Sequence, residues 1–170
     1  MPRRVFFSFH YHRDIWRVNV VRNHAKAKSG YQDAGYWDCS LWGSTKRTGE
    51  NSLKRLINSG LQNTSVTVVL IGAKTSERKW VKYEIEESHK RGNGMLGIYI
   101  HNIKNINGIT DLQGNNPFDS FTVEQPNPYA YMSKTYARIS QIFPIYDWVY
   151  NDGYNNFSKW VEDAARAAGR

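Results

Sequence analysis

Apolar and polar positions fall along the chain in blocks that switch between a strand-like and a helix-like period. Val5-Phe6-Phe7-Ser8-Phe9 is a nearly unbroken run of β-favouring residues, the pattern of a strand covered on both faces, and is read as the first and central strand. Ile15, Val18 and Val21 then recur at helical spacing, with Asp14 near the start of that helix and Ser29-Gly30 where it fades. Gly35-Tyr36-Trp37-Asp38 reads as a brief second strand. Leu53, Leu56, Ile57 and Leu61 predict a second helix, with Gly60 placed to end it.

The clearest strand is Ser65 to Ile71, closed by Gly72. The helix after it spans part of Thr75 to Gly94, capped by Thr75 or Ser76 and closed by Gly92 or Gly94. Met95 to Ile100 is a fourth strand. Residues 102–133 are rich in Asn, Gly and Pro without periodicity, so they read as an irregular insertion of the kind that often forms a lid. Ile142 to Val149 holds a fifth strand that Pro144 assigns to a sheet edge, and Asn151 or Asp152 caps a last helix whose apolar face is Phe157, Trp160, Val161 and Ala164. Five strand–helix alternations predict an α/β fold: one domain over 1–170, a five-stranded parallel sheet in flavodoxin-like order, and helices on both faces.

Composition narrows the function classes. A formal charge of +8, from 23 basic against 15 acidic residues, favours anionic ligands, but no basic run is long enough for a nucleic-acid arm, so no nucleic-acid partner is expected. Cys39 is the single cysteine, which rules out an internal disulfide or a cysteine zinc site and suits a reducing cytoplasm. No apolar run reaches the ~20 residues a membrane span needs, and Pro2-Arg3-Arg4 leads straight into a strand without a signal-peptide pattern, so a soluble intracellular protein is expected. Aromatic residues make up 14% of the chain and include six tryptophans, more than a core of this size needs, so several are expected to line a pocket.

Trp80 and Glu84 stand four apart on the helix after the clearest strand, where an open α/β sheet turns side chains toward its ligand crevice. Glu84 is therefore the leading chemical residue. The alternative is a solvated glutamate among Lys79, Lys82, Lys90 and Arg91. Ser8 and His10 follow the first strand at the expected switch point and are read as contacts for ribose or diphosphate. Phe9, Trp42 and Trp80 are candidate stacking surfaces, Trp80 being equally readable as a core wedge. Asp38 and Ser40 are read as ribose contacts or turn caps. His10 and His12 lack further ligands at a recognisable spacing, so no metal site is assigned.

Taken together, VFFSFHY at Val5 to Tyr11, DCSLW at Asp38 to Trp42, SVTVVLIG at Ser65 to Gly72, WVKYEI at Trp80 to Ile85 and YDWVYNDGYNNFSKWV at Tyr146 to Val161 resemble the TIR-like proteins of Thoeris anti-phage systems. The resemblance covers nearly the whole chain in order, and 102–133 matches less well. It implies a flavodoxin-like TIR fold and an enzyme that cleaves NAD and converts its ADP-ribose part into a cyclic nucleotide. That nucleotide would diffuse to a separate effector. NAD would be the substrate, with no further cofactor, and self-association is left open. The family's catalytic glutamate falls on Glu84. Two other readings stand beside this one: a non-catalytic TIR adaptor, and a nucleoside deoxyribosyltransferase-like enzyme that also attacks a glycosidic carbon with a glutamate.

Overall fold

The structure is a computed structural model that describes residues 3–34, 45–125 and 134–170. Its principal sheet has five parallel strands in the order β2-β1-β3-β4-β7, the flavodoxin-like order. These are β1 (Arg4–Phe9), β2 (Gln32–Ala34), β3 (Val66–Ile71), β4 (Gly94–Tyr99) and β7 (Ile145–Asp147). The two remaining strands, β5 (Thr122–Gln125) and β6 (Thr135–Arg138), form a separate antiparallel pair. Strand β3 is central, not β1, and it is buried at every position. The switch in strand order lies between β1 and β3, whose registers pair Ser8 with Val69 and Phe9 with Leu70.

Helices α1 (Tyr11–Ser29) and α4 (Gly153–Ala167) pack on one face, where Val5, Phe7, Val68 and Leu70 meet Val18, Val21, Phe157 and Val161. Helices α2 (Glu50–Leu61) and α3 (Lys79–Lys90) cover the other, with Phe6 against Ile57 and Leu61, and Val69 and Ile71 against Val81 and Ile85. Alternation along β1 therefore sends Phe7 toward α1 and Phe6 toward α2. A Cβ on Gly94 would stand 2.3 Å from the Ala164 carbonyl, so glycine there lets α4 lie directly on the start of β4.

Several element ends differ from expectation. The second strand is Gln32–Ala34, upstream of the expected place; Gly35 to Asp38 lie outside the described residues. Gly60 does not end its helix: it is buried inside α2, and the turn comes at Asn63, with φ 60°. Thr75 and Ser76 form a 3₁₀ turn, Thr75–Glu77, and α3 starts after Arg78. Thr75 instead steadies the turn after β3, its hydroxyl accepting from the Gly72 N–H at 2.8 Å.

Gly92 does close α3. At φ 68° its N–H donates to the His89 carbonyl at 3.0 Å, while the Asn93 N–H donates to Ser88 at 3.1 Å, the paired bonds of a Schellman end. Gly94 belongs to β4 instead. The expected edge strand after Pro144 is β7, and Asp152 stands at the start of α4 without a side-chain cap.

The segment after β4 is irregular only in part. Arg17 donates to the carbonyls of Ile103 at 2.7 Å and Ile109 at 3.0 Å, and Arg13 reaches both carboxylate oxygens of Asp111 at 2.9 Å, so α1 holds this loop down. Phe118 on the turn Pro117–Ser120 is fully buried in the α3-side core, and β5 follows. Residues 126–133 lie outside the described residues.

Candidate active site

Glu84 sits in the second turn of α3 with its side chain turned to the sheet, only 6% exposed. Ser8, on the α3 face of β1 and fully buried, donates its hydroxyl to Glu84 Oε2 at 2.5 Å. Burial pushes the Glu84 carboxyl up to about 8, and the Ser8 hydroxyl pulls it back only in part. At neutral pH that value favours the protonated form. An approaching cation reverses that balance, because a positive charge in a dry site favours the carboxylate strongly. A carboxyl poised in this way can act as countercharge to a cationic reacting centre.

The other expected site residues divide. Ser8 joins Glu84 directly through its hydroxyl. Phe9 points away, packing with the α1-side core and stacking on Tyr11 at 5.9 Å between ring centres. His10 stands at the start of α1, with Nδ1 buried and unpartnered among the described residues, and burial and then the Arg78 charge lower its pKa. His10 and Arg78, the residue before α3, thus stand within electrostatic reach of one another.

Trp80 wedges between α2 and α3. It is half-buried against the cluster of Phe6, Ile57 and Leu61 and meets Tyr83 edge-on at 5.9 Å, with the Lys79 ammonium 5.3 Å from its ring. Asp38, Ser40 and Trp42 lie outside the described residues, as does Cys39. Among the described residues, no group of three or more His, Cys, Asp or Glu gathers in a way that could hold a metal ion. No helix of the described residues is long and apolar enough to cross a membrane.

Residues 6–105 match the family model described as Thoeris protein ThsB, TIR-like domain. The chain is also 43% identical to the Bacillus cereus (strain MSX-D12) protein named "Putative cyclic ADP-D-ribose synthase ThsB1", over 95% of this chain and 100% of that one. The chain belongs to the Thoeris TIR-like family. The region matched to the family model contains β3, α3 and most of β1, and so includes both Ser8 and Glu84.

One buried carboxylate of this Thoeris TIR-like chain was not singled out by sequence reasoning. Asp14, in the first turn of α1, is fully buried with neither carboxylate oxygen in a hydrogen bond among the described residues. It lies flat on the turn after β3, where a Cβ on Gly72 would come within 2.3 Å of its Oδ2. Burial raises its carboxyl to about 6. Arg13 pulls it back, Asp111 adds to the rise, and Arg17 and then the nearby Thr75 hydroxyl lower it. The available signal was spacing, since Asp14 shares the i, i+4, i+7 stripe of Val18 and Val21 that faces the sheet.

Proposed function

We propose that this chain cleaves the nicotinamide–ribose bond of NAD and closes the ADP-ribose part into a cyclic nucleotide, with Glu84 as the catalytic carboxylate. The observation that carries the site assignment is the buried Ser8–Glu84 pair, a carboxyl turned into the α3–sheet contact and raised by burial to about 8. The name of the B. cereus relative, a cyclic ADP-D-ribose synthase, supports the reaction class.

The chemistry fits one carboxylate. As the C1′–N bond breaks, its electron pair goes to the pyridinium, which leaves as neutral nicotinamide and needs no general acid. That differs from ordinary glycoside hydrolysis, where a second carboxyl protonates the leaving oxygen. The positive charge passes to the ribosyl oxocarbenium, which Glu84 stabilises as a carboxylate, having released its proton to solvent as the cationic substrate binds. A nucleophile of the same molecule, an adenine nitrogen or a ribose hydroxyl, then attacks C1′, and the ring closes as a proton leaves the adenine amino group or that hydroxyl, provided water is kept away. The product is read as a diffusible signal to a separate effector.

The test is mass spectrometry of NAD incubated with the purified protein, alone and in lysate from phage-infected cells. A nicotinamide-free cyclic ADP-ribose isomer, lighter than ADP-ribose by one water, is expected. Intact NAD in both arms contradicts the proposal.

A further inference from the structure

Six buried polar side chains, Ser8, Thr64, Thr67, Glu84, Ser88 and Asn93, run as a file through the otherwise apolar contact between α3 and the sheet. Buried polar groups are costly unless each proton and lone pair is met, and in this file they can be followed one by one. The Ser88 hydroxyl donates to the backbone carbonyl of Glu84 at 2.6 Å, which uses its single proton. It therefore accepts from Thr67, whose hydroxyl is 2.7 Å away on the central strand. Thr67 in turn is approached by the Asn93 amide at 3.5 Å, and the same amide donates to Thr64 at 2.9 Å. Thr64 hands its own proton to the Leu61 carbonyl at 2.7 Å.

Glu84 is thus gripped at two points. Its carboxyl accepts from Ser8 on β1, and its carbonyl accepts from Ser88, which is itself held by Thr67 on β3. The surrounding contacts of Val81 and Ile85 with Val69 and Ile71 are apolar and non-directional, so they hold α3 down without fixing its rotation or its position along the sheet. Hydrogen bonds do fix both. The Schellman end of α3 places Asn93 under the same strand and completes the file. Stability alone does not explain this choice, since replacing both partners of a buried hydrogen bond by apolar groups of the same shape can be nearly neutral.

We infer that Thr67 and Ser88 are positioning residues that set where Glu84 stands relative to Ser8, and so act on the reaction through that glutamate. This rests on the assignment of Glu84 as catalytic residue.

The test uses the full chain carrying Thr67→Val together with Ser88→Ala, which removes both hydroxyls while keeping Thr67's shape, with Thr67→Ser as the conservative control. The double variant is expected to melt within a few degrees of the wild type. Its kcat should fall about tenfold or more with the Michaelis constant within about twofold, because small misplacement of a reacting group is expensive in rate. Thr67→Ser, which keeps the hydroxyl, should recover most of the rate. A readout independent of turnover is the ¹³C NMR titration of the Glu84 carboxyl, whose midpoint should fall by about one pH unit or more as the loosened helix admits water. The inference is overturned if the double variant keeps both the wild-type kcat and the wild-type midpoint. It is equally overturned if Thr67→Ser loses rate and melting temperature as fully as the double variant does, which is the mark of packing alone. If the wild type leaves NAD intact, the function proposed above fails, whereas the titration still decides the positioning claim.

Discussion

Ser8 on β1 and Glu84 on α3, 76 positions apart in the chain, meet in a 2.5 Å hydrogen bond that is closed to solvent. The bond holds the carboxyl by its acceptor side, and the buried setting raises that carboxyl to about 8.

Ser8→Ala removes the group that, among the described residues, lowers the Glu84 pKa. The pH–rate profile of NAD cleavage should then shift toward alkaline pH by about one unit, since hydrogen bonds to charged groups are worth about 1.5–3 kcal/mol and one unit is about 1.4 kcal/mol. A profile left in place assigns Ser8 a different role.

Stability should fall with rising pH because of Glu84. Its carboxyl ionises at about 8 when folded against an ordinary value of 4.5. Between those values the unfolded chain has released the proton and the folded chain has kept it, so raising the pH favours unfolding. The contribution is fully present below 4.5 and is lost at about 1.4 kcal/mol per pH unit up to the folded value. Denaturant melts of wild type and Glu84→Gln across pH 5 to 8 check this, the variant giving the flatter curve.

Asp14→Asn should raise the melting temperature at pH 7 and have a smaller effect at pH 5. The folded carboxyl ionises at about 6 against 3.8, so above that point the wild type carries a buried charge that its neighbours offset only in part. Gly72→Ala, which drives a methyl into the same carboxylate, should destabilise the fold by about 1–3 kcal/mol. Calorimetry at the two pH values separates the effects.

Trp80→Ala should cost about 2–3 kcal/mol of stability and leave the Michaelis constant for NAD within about twofold, as suits a half-buried wedge between α2 and α3. A raised Michaelis constant at an unchanged melting temperature would return Trp80 to the pocket wall.

Much of this architecture could be read from the chain because local pattern and tertiary role agree. Val66 to Ile71 is β-branched and apolar throughout, and it is the strand buried at every position. Where the two conflict, the reading slipped. Strand β2 was hidden because Gln32 and Asp33 are polar, and Asp33 is needed as the partner of Arg22. Gly60 carries the usual signal of a helix end, but it is buried within α2. The buried stripe of α1 carries Asp14, Arg17 and Arg22 among its apolar residues, so periodicity understates how much of that helix faces inward. Glu84 was legible from its spacing after β3 and from the family motif. Its bond to Ser8 was not, because that contact depends on the β1–β3 register and on how deeply α3 seats, neither of which a local pattern encodes.

The most direct test of Glu84 as the catalytic carboxylate compares wild type and Glu84→Gln for NAD consumption by mass spectrometry, with circular dichroism confirming that both are folded. The exchange keeps size and polarity and removes the charge that answers the ribosyl cation. Turnover is expected to drop by about two to three decades, the scale of losing a preorganised electrostatic partner. Near-normal turnover by a well-folded Glu84→Gln variant would contradict the assignment.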